Sequence, residues 1–287
     1  MSAEIIDGKK VAGLVRERVR EDVADWIKKG NRAPFLQVVL VGDDPASLVY
    51  TGAKTKACQE VGIETNTMVL QDTISAKELK SVIRELNTND NVDGILVQLP
   101  LPSHLSSYDV IETIDHRKDV DGFHPMNVGR LALDQPCFKS CTPAGVMELF
   151  KHYSIPVKAK HAVVVGASNI VGSPMATMLS RENSTGKARD LTLHTINADI
   201  LIVAAGQPHL IKGEIVKEGA VIIDVGINRI ADETTEKGYK LVGDVDFESV
   251  KKKASWITPV PGGVGPMTVA MLMKNTLLAA KKSVYPE

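Results

Sequence analysis

In the first half of the chain, segments whose apolar positions recur with helical spacing alternate with short apolar runs typical of strands. A helix is predicted over residues 10–29, where apolar side chains recur three or four positions apart at Val11, Leu14, Val15, Val19, Val23 and Trp26. Short apolar runs bounded by turn residues predict strands at 36–41, 65–70 and 93–98. Because helical segments separate these runs, the pattern indicates an α/β fold with a mostly parallel sheet covered on both faces.

The helices between these strands carry recognisable end signals. The first of them begins after the sequence Gly-Asp-Asp-Pro. Gly62 is predicted to be the C′ residue that ends it. Ser75 is predicted to cap the next helix, which runs to about Asn87, and Glu78 completes a capping box.

The second half of the chain contains three apolar strands that each run into a glycine. The first meets Gly166, and the helix after it is predicted to have Ser173 as its N-cap and Pro174 at its first position. The other two strands run into Gly206 and Gly226. Small residues let the backbone approach a pyrophosphate closely, and a helix N-terminus offers it N–H groups. These turns predict a nucleotide-binding crevice in a doubly wound, Rossmann-like domain, although the first matches the Gly-x-Gly-x-x-Gly fingerprint only in part.

Two further segments frame this second half. Thr142 is predicted to cap a helix that has Pro143 at its first position. Residues 257–268 are predicted to form a loop stiffened by prolines and glycines, and a helix is predicted from about 267 to 282.

The pattern is weakest between residues 128 and 140, and the connection between two domains is predicted there. We therefore expect an α/β domain over residues 1–138, completed by the C-terminal helix at 267–287. The nucleotide-binding domain is expected over residues 139–266, with a cleft between the two domains.

The composition of the 287-residue chain narrows the classes of protein it can belong to. A net charge of −1 without a basic cluster argues against nucleic-acid binding. The N-terminus lacks the regions of a signal peptide, and no apolar run reaches the roughly 20 residues that cross a bilayer. Cys58, Cys137 and Cys141 are an odd set without metal-ligand spacing, so we expect reduced thiols in a cytoplasm-like compartment and no metal site.

Candidate chemistry is concentrated after the first and third strands. Ser47, Tyr50 and Lys54 are spaced to share one face of a helix, whereas Lys56 points elsewhere. Gln98 lies at the carboxyl end of a strand, the edge of a parallel sheet where ligands bind. These residues also have ordinary structural interpretations. Most helical lysines are solvated, and an amide at a strand end commonly hydrogen-bonds to the backbone of a loop.

A tight polar loop at residues 118–125 carries two further candidates, Asp119 and Asp121. Either these acids make Asx turns, or one of them aims its carboxylate into the same cleft.

Motifs at residues 44–54, 93–102, 118–122, 166–172 and 261–268 together resemble the bifunctional methylenetetrahydrofolate dehydrogenase/cyclohydrolase family. The first motif contains Ser47, Tyr50 and Lys54, and the last reads Pro-Gly-Gly-Val-Gly-Pro-Met-Thr. The match runs nearly end to end, and motifs of this kind in this order are very specific.

The resemblance implies that 5,10-methylenetetrahydrofolate loses a hydride to NADP⁺ and that the methenyl product is hydrolysed to 10-formyltetrahydrofolate. It implies that Lys54 shuttles protons in the hydrolysis, that Gln98 positions Lys54, and that Ser47 supports this group. Tyr50 would stack along the folate, and Asp121 would accept hydrogen bonds from pterin N–H groups. The remaining implied folate contacts are Val97, Leu99, Pro261, Gly262, Gly263, Val264 and Gly265.

The same resemblance assigns the cofactor side. The implied dinucleotide contacts are Thr142, Gly166, Ala167, Ser168, Ile170, Gly206 and Ile227. NADP is carried over from the family rather than read from these residues, and NAD stays open as an alternative. The resemblance also implies a cytoplasmic enzyme of one-carbon metabolism that forms a homodimer through its cofactor domains.

The chain departs from the family after the helix predicted to begin at Pro174. Relatives have there a strand of alternating Thr and Val whose end helps to read the 2′-phosphate, whereas here Ala188 runs straight into Arg189. Either the chain lacks the strand or the sequence omits a stretch. We favour omission, because a missing strand leaves a gap in a packed sheet.

Three alternatives follow from these observations. A cyclohydrolase with impaired dehydrogenase activity keeps Lys54 and Gln98 but has an altered cofactor side. A short-chain-type dehydrogenase is suggested by Tyr50-x-x-x-Lys54, yet that pair precedes the nucleotide-binding domain. A non-enzymatic folate- or nucleotide-binding module requires broken site chemistry, whereas every matched position holds the residue that the family has there.

Overall fold

The structure, a computed structural model, describes residues 2–181, 191–235 and 238–286. The junction of Ala188 with Arg189, where the sequence departs from the family, lies outside the described residues. In chain order the elements are β1 (Glu4–Ile5), α1 (Gly8–Lys28), β2 (Phe35–Val41), α2 (Pro45–Val61), β3 (Glu64–Leu70), α3 (Ala76–Thr88), β4 (Gly94–Val97), α4 (Ser107–Thr113), α5 (Pro125–Ala132), α6 (Cys141–His152), β5 (Ala162–Val165), α7 (Gly172–Arg181), α8 (Leu191–Thr195), β6 (Ile200–Val203), β7 (Val221–Asp224), β8 (Asn228–Ala231), β9 (Tyr239–Val242), α9 (Phe247–Val250), β10 (Trp256–Ile257) and α10 (Val264–Ala280).

The chain divides into two compact units, which we name after their sheets. The three-stranded unit comprises Gly13–Cys141 and Val269–Glu287, and the five-stranded unit comprises Met1–Ala12 and Thr142–Thr268. The N-terminal segment, grouped by the sequence with the first domain, lies in the five-stranded unit because β1 pairs with β10.

The three-stranded unit is built on parallel strands in the order β3-β2-β4. The strands predicted at 36–41, 65–70 and 93–98 are confirmed, as is the capping box of Ser75 and Glu78. The apolar face of α3 packs Leu79 and Ile83 against Val39 of β2. A side chain as fully buried as Ile83 contributes roughly 1.5–3 kcal/mol to folding, so this face fixes α3 on the sheet.

Helix α2 follows β2 directly, and both of its ends are built from local signals. The Asp44 carboxylate accepts a hydrogen bond from the Ser47 backbone N–H at 2.8 Å, and Pro45 occupies the first turn, where a missing N–H costs nothing. Gly62 ends the helix at φ 78°, a left-handed conformation that favours glycine. These caps fix where along the helix Ser47 and Lys54 fall.

The five-stranded unit contains, within its described residues, parallel strands in the order β1-β10-β7-β6-β5. Its core joins buried side chains of β5, β6 and β7, among them Val163, Leu201 and Ile222. An antiparallel hairpin of β8 and β9 follows the turn at Gly226 and has no counterpart in the sequence prediction. The α/β class with parallel sheets is confirmed in both units.

Several predicted helix ends are wrong. α6 begins at Cys141, so Thr142 lies inside the helix, and its hydroxyl pairs with the Thr268 hydroxyl at 2.8 Å. α7 begins at Gly172 rather than after Ser173. The Ser168 hydroxyl accepts hydrogen bonds from the backbone N–H groups of Val171 and Gly172. A residue outside α7 therefore satisfies N–H groups that have no partner within the helix.

Two further segments differ from prediction. Residues 128–140, predicted as a domain connection, contain most of α5, because Pro125 starts a helix whose N-cap His124 accepts the Met126 N–H through Nδ1. α10 begins at Val264, ahead of the predicted residue 267. Pro266 is tolerated because it lies in the first turn. No helix among the described residues has the length and apolarity to cross a membrane.

Candidate active site

Lys54 and Gln98 meet in the three-stranded unit. The Lys54 ammonium donates a hydrogen bond to Gln98 Oε1 at 2.9 Å, and Lys54 is only 8% exposed. The Gln98 amide nitrogen donates to the Leu99 carbonyl at 2.6 Å, which turns the amide oxygen toward Lys54. One end of Gln98 is thus anchored to backbone, and the other holds the lysine.

Asp121 lies close enough to Lys54 for the two charges to interact. Burial raises the pKa of the Asp121 carboxyl to about 6, while the Lys54 charge and a hydrogen bond from Cys141 lower that pKa and Asp119 raises it. A carboxyl group with this pKa is largely ionised at neutral pH and accepts hydrogen bonds from N–H donors.

The loop that carries Asp121 is held by backbone contacts. Gly122 has φ 76°, and a Cβ there would lie 2.6 Å from the backbone at Ser140. The Asn275 amide donates to the Val120 carbonyl at 2.8 Å and to the Lys139 carbonyl at 3.2 Å. Asn275 was not predicted from the sequence, although an amide within the apolar sequence of α10 indicates a buried hydrogen-bonding role.

The remaining predicted residues of this unit differ in exposure. Ser47 is buried and makes backbone hydrogen bonds with Asp44 and Thr51. Tyr50 is 44% exposed, and Val97 is buried at the end of β4. Lys56 is exposed, in contrast to the buried Lys54 two residues earlier on the same helix.

The turn after β5 in the five-stranded unit depends on close backbone packing. Gly166 has φ 132°, and a Cβ there would lie 2.3 Å from the Ala204 carbonyl oxygen. A Cβ on Gly172, the first residue of α7, would lie 2.2 Å from the Gly166 carbonyl oxygen. Ala167, Ser168 and Ile170 are exposed on this turn. The turn is a backbone cradle that only glycine permits at its two closest points.

Two further strand ends belong to the same sheet. Gly206 follows β6 with φ 67°, and Ile227 follows β7 with 42% of its surface exposed. Since β5, β6 and β7 are parallel neighbours, all three turns lie at the carboxyl edge of this sheet.

The predicted glycine-rich loop also lies in the five-stranded unit. Gly262 accepts a hydrogen bond from the Lys9 backbone N–H at 2.9 Å, and a Cβ on Gly8 would lie 1.8 Å from the Gly263 carbonyl oxygen. Pro261 is exposed at the tip, while Val264 and Gly265 form the first turn of α10.

The described residues contain no group of three or more His, Cys, Asp or Glu side chains arranged to hold a metal ion. The buried acids Asp224 and Asp244, which were not predicted from the sequence, instead accept hydrogen bonds from backbone N–H groups at or near the turns after β6 and β7.

A lysine–amide–carboxylate group in one α/β unit and a glycine cradle of dinucleotide type in the other define an enzyme of the two-domain dehydrogenase class. The catalytic-domain profile of tetrahydrofolate dehydrogenase/cyclohydrolase matches residues 6–121, and the profile of its NAD(P)-binding domain matches residues 140–284. The chain therefore belongs to the tetrahydrofolate dehydrogenase/cyclohydrolase family, as the motifs indicated.

Individual relatives agree over nearly the whole chain. The bifunctional protein FolD of Phocaeicola vulgatus is 49% identical, with 98% of this chain and 99% of the relative covered. The crystal structure of the bifunctional FolD dehydrogenase/cyclohydrolase of Campylobacter jejuni is 49% identical, with a TM-score of 0.93 over 98% of this chain and all of that chain. The Trypanosoma brucei dehydrogenase-cyclohydrolase, solved with NADP cofactor and inhibitor, is 37% identical, with a TM-score of 0.94 over the whole of both chains.

Proposed function

We propose that this protein oxidises 5,10-methylenetetrahydrofolate with NADP⁺ and hydrolyses the resulting 5,10-methenyltetrahydrofolate to 10-formyltetrahydrofolate, two steps of one-carbon metabolism. The observation that carries the proposal is the hydrogen bond between buried Lys54 and Gln98, with Asp121 near enough for its charge to interact with that of Lys54, in a chain of this family. The bifunctional relatives match nearly the full length of the chain.

The hydrolytic half relies on Lys54. Hydrolysis adds water to the methenyl carbon and breaks the bond from that carbon to N5, so protons must leave the water and one must reach N5. Lys54 is the group we assign to this proton transfer. Gln98 fixes the position of the Lys54 amine through Oε1, and we assign Ser47, which is buried on the same helix, a supporting role.

Folate recognition relies on complementary groups. The Asp121 carboxylate suits the adjacent amino and ring N–H donors of the pterin, and charge-assisted hydrogen bonds of this kind are strong. The half-exposed ring of Tyr50 offers a face for the flat heterocycle. The other folate contacts in the proposal are Val97, Leu99, Pro261, Gly262, Gly263, Val264 and Gly265.

The five-stranded unit fits a dinucleotide. Gly166 and Gly172 pack backbone closely against backbone between β5 and α7, and we assign the pyrophosphate to this turn at the start of the helix. When bound, NADP⁺ supplies the acceptor for the hydride. The residues that we assign to holding it are Thr142, Gly166, Ala167, Ser168, Ile170, Gly206 and Ile227.

The family resemblance also supports a homodimer paired through the five-stranded units, which sedimentation of the purified protein would test. The free thiols of Cys58, Cys137 and Cys141 suit a reducing compartment, and we expect a cytoplasmic enzyme.

The test is an absorbance assay of the purified protein with 5,10-methylenetetrahydrofolate and either NADP⁺ or NAD⁺, beside a separate assay of methenyl hydrolysis. We expect reduction with NADP⁺ and hydrolysis by the same protein. Hydrolysis without reduction of either cofactor would contradict the dehydrogenase half, and absence of hydrolysis would contradict the other half.

A further inference from the structure

The Asp244 carboxylate connects two of the cofactor-side turns. Its Oδ2 accepts hydrogen bonds from the backbone N–H groups of Ala205 at 2.7 Å and Gly206 at 2.9 Å. Its Oδ1 accepts from the Asn228 side-chain amide at 2.8 Å. Asp244 is fully buried, and it joins the end of β6 to the residue after Ile227.

A second buried acid holds Asp244 in place. Asp224 Oδ1 accepts from the backbone N–H groups of Gly226 at 3.0 Å and Asp244 at 3.1 Å, and its Oδ2 accepts from Val245 at 2.9 Å. The packing leaves no slack, because a Cβ on Gly226 would lie 2.2 Å from the Asp244 carboxyl carbon. The two acids and the two turns therefore form one rigid hydrogen-bonded group.

We propose that Asp244 is a positioning residue for the dehydrogenase reaction, which acts by holding the Gly206 and Ile227 turns in the shape that binds NADP⁺. This inference rests on the proposed function of those turns. We assign Asp244 no contact with substrate or cofactor, and it acts through the backbone N–H groups that donate hydrogen bonds to it.

The proposal can be tested by substitutions that exchange the hydrogen-bond donor and acceptor between residues 244 and 228. In Asp244→Asn the amide oxygen can replace Oδ2 and keep both backbone hydrogen bonds, while the amide N–H groups face Asn228, which can turn its own oxygen toward them. Asp244→Ala removes the acceptor for both backbone donors. In Asn228→Asp two carboxylates oppose each other, and Asp244→Asn in the same chain restores one donor and one acceptor.

The experiment measures KM and Kd for NADP⁺, kcat for hydride transfer, and methenyl hydrolysis in the full chain. We expect Asp244→Ala and Asn228→Asp to raise KM and Kd for NADP⁺ about 10- to 100-fold, with hydrolysis unchanged. Asp244→Asn and the double variant are expected to lie within about threefold of wild type. If Asp244→Ala does not fold, Asn228→Asp and its rescue carry the test.

Asp199→Asn is the matched control. Asp199 accepts hydrogen bonds from the His161 backbone N–H and from Lys217 at the amino ends of β5 and β6, the ends opposite to the turns. We expect it to lower Tm without changing KM for NADP⁺. Unchanged NADP⁺ binding in Asn228→Asp, or an equal loss of both activities without rescue, would overturn the inference. A wild-type protein that neither binds nor reduces NADP⁺ would contradict the proposed function itself, and with it the inference.

Discussion

The three-stranded and five-stranded units build their sites by different means. In the three-stranded unit the proposed chemistry resides in side chains, with Lys54 hydrogen-bonded to Gln98 and Asp121 close by. In the five-stranded unit the turns proposed to hold the cofactor are shaped by backbone, through glycines whose missing Cβ atoms allow contacts such as that of Gly172 with Gly166. A side-chain site should lose one chemical step when one group is removed, whereas a backbone site should lose binding when its shape changes.

The largest expected effect comes from Lys54→Met. Methenyl hydrolysis should fall about 10²- to 10⁴-fold because the group that transfers protons is gone, while folate still binds. Hydride transfer needs no proton from this residue and should persist. The measurement is the rate of methenyl absorbance loss, with Lys56→Met on the exposed side of the same helix as the control. Unchanged hydrolysis would remove Lys54 from the role assigned to it.

Gly172→Ala tests the backbone site. The new Cβ meets the Gly166 carbonyl, so the turn must open, and we expect kcat/KM for NADP⁺ to fall about 100-fold with hydrolysis retained. Gly129→Ala in α5 is the matched control, because nothing beyond its chain neighbours and the backbone of its own helix lies within 4 Å of the added methyl group. Normal NADP⁺ kinetics in Gly172→Ala would show that the turn does not hold the cofactor.

Asp121→Ala removes the acceptor that we assign to the pterin in both reactions. We expect folate affinity to fall about 10- to 100-fold and both activities to fall with it, since the pterin donors lose a charged partner. Calorimetry with tetrahydrofolate measures the affinity directly. Normal affinity would place Asp121 outside the site.

A smaller effect is expected from pH. Because the Asp121 pKa is raised from 3.8 to about 6, protonation of its carboxylate should weaken tetrahydrofolate binding as the pH falls through about 6. The pH dependence of folding stability has the opposite sign to that of folate binding. The contribution of this group to stability is present below its unfolded pKa of 3.8 and is lost as the pH rises through about 6.

Cys141→Ala sharpens this test. It removes a hydrogen bond that lowers the Asp121 pKa, so the midpoint of folate binding should move to higher pH. If the midpoint stays at the same pH, the group whose protonation weakens folate binding is not Asp121.

Much of the fold followed from the sequence because its signals are local. The caps of α2 and α3 and the buried strands of both sheets are read from residues within a few positions of each element. The start of α7 could not be read in this way, since Ser168 satisfies its N–H groups across a turn. Asn275 and Asp244 act on segments distant in sequence, so spacing alone does not reveal them.

The residues proposed for catalysis were singled out by helical spacing, by strand ends and above all by the family motifs, since a helical lysine and a strand-end amide each have an ordinary structural role. Lys54 and Gln98 lie 44 residues apart, so spacing within one element could not reveal their hydrogen bond. The functional roles of the residues in both units stay predictions, which the variants above test.

In the proposed mechanism, proton transfer during hydrolysis depends on the Lys54 side chain of the three-stranded unit, whereas NADP⁺ binding for hydride transfer depends on the backbone turn at Gly166 and Gly172 of the five-stranded unit. The most direct test assays both activities in Lys54→Met and Gly172→Ala side by side. We expect Lys54→Met to lose hydrolysis and keep NADP⁺ reduction, and Gly172→Ala to lose NADP⁺ reduction and keep hydrolysis. Equal loss of both activities in both variants, at unchanged Tm, would contradict the division.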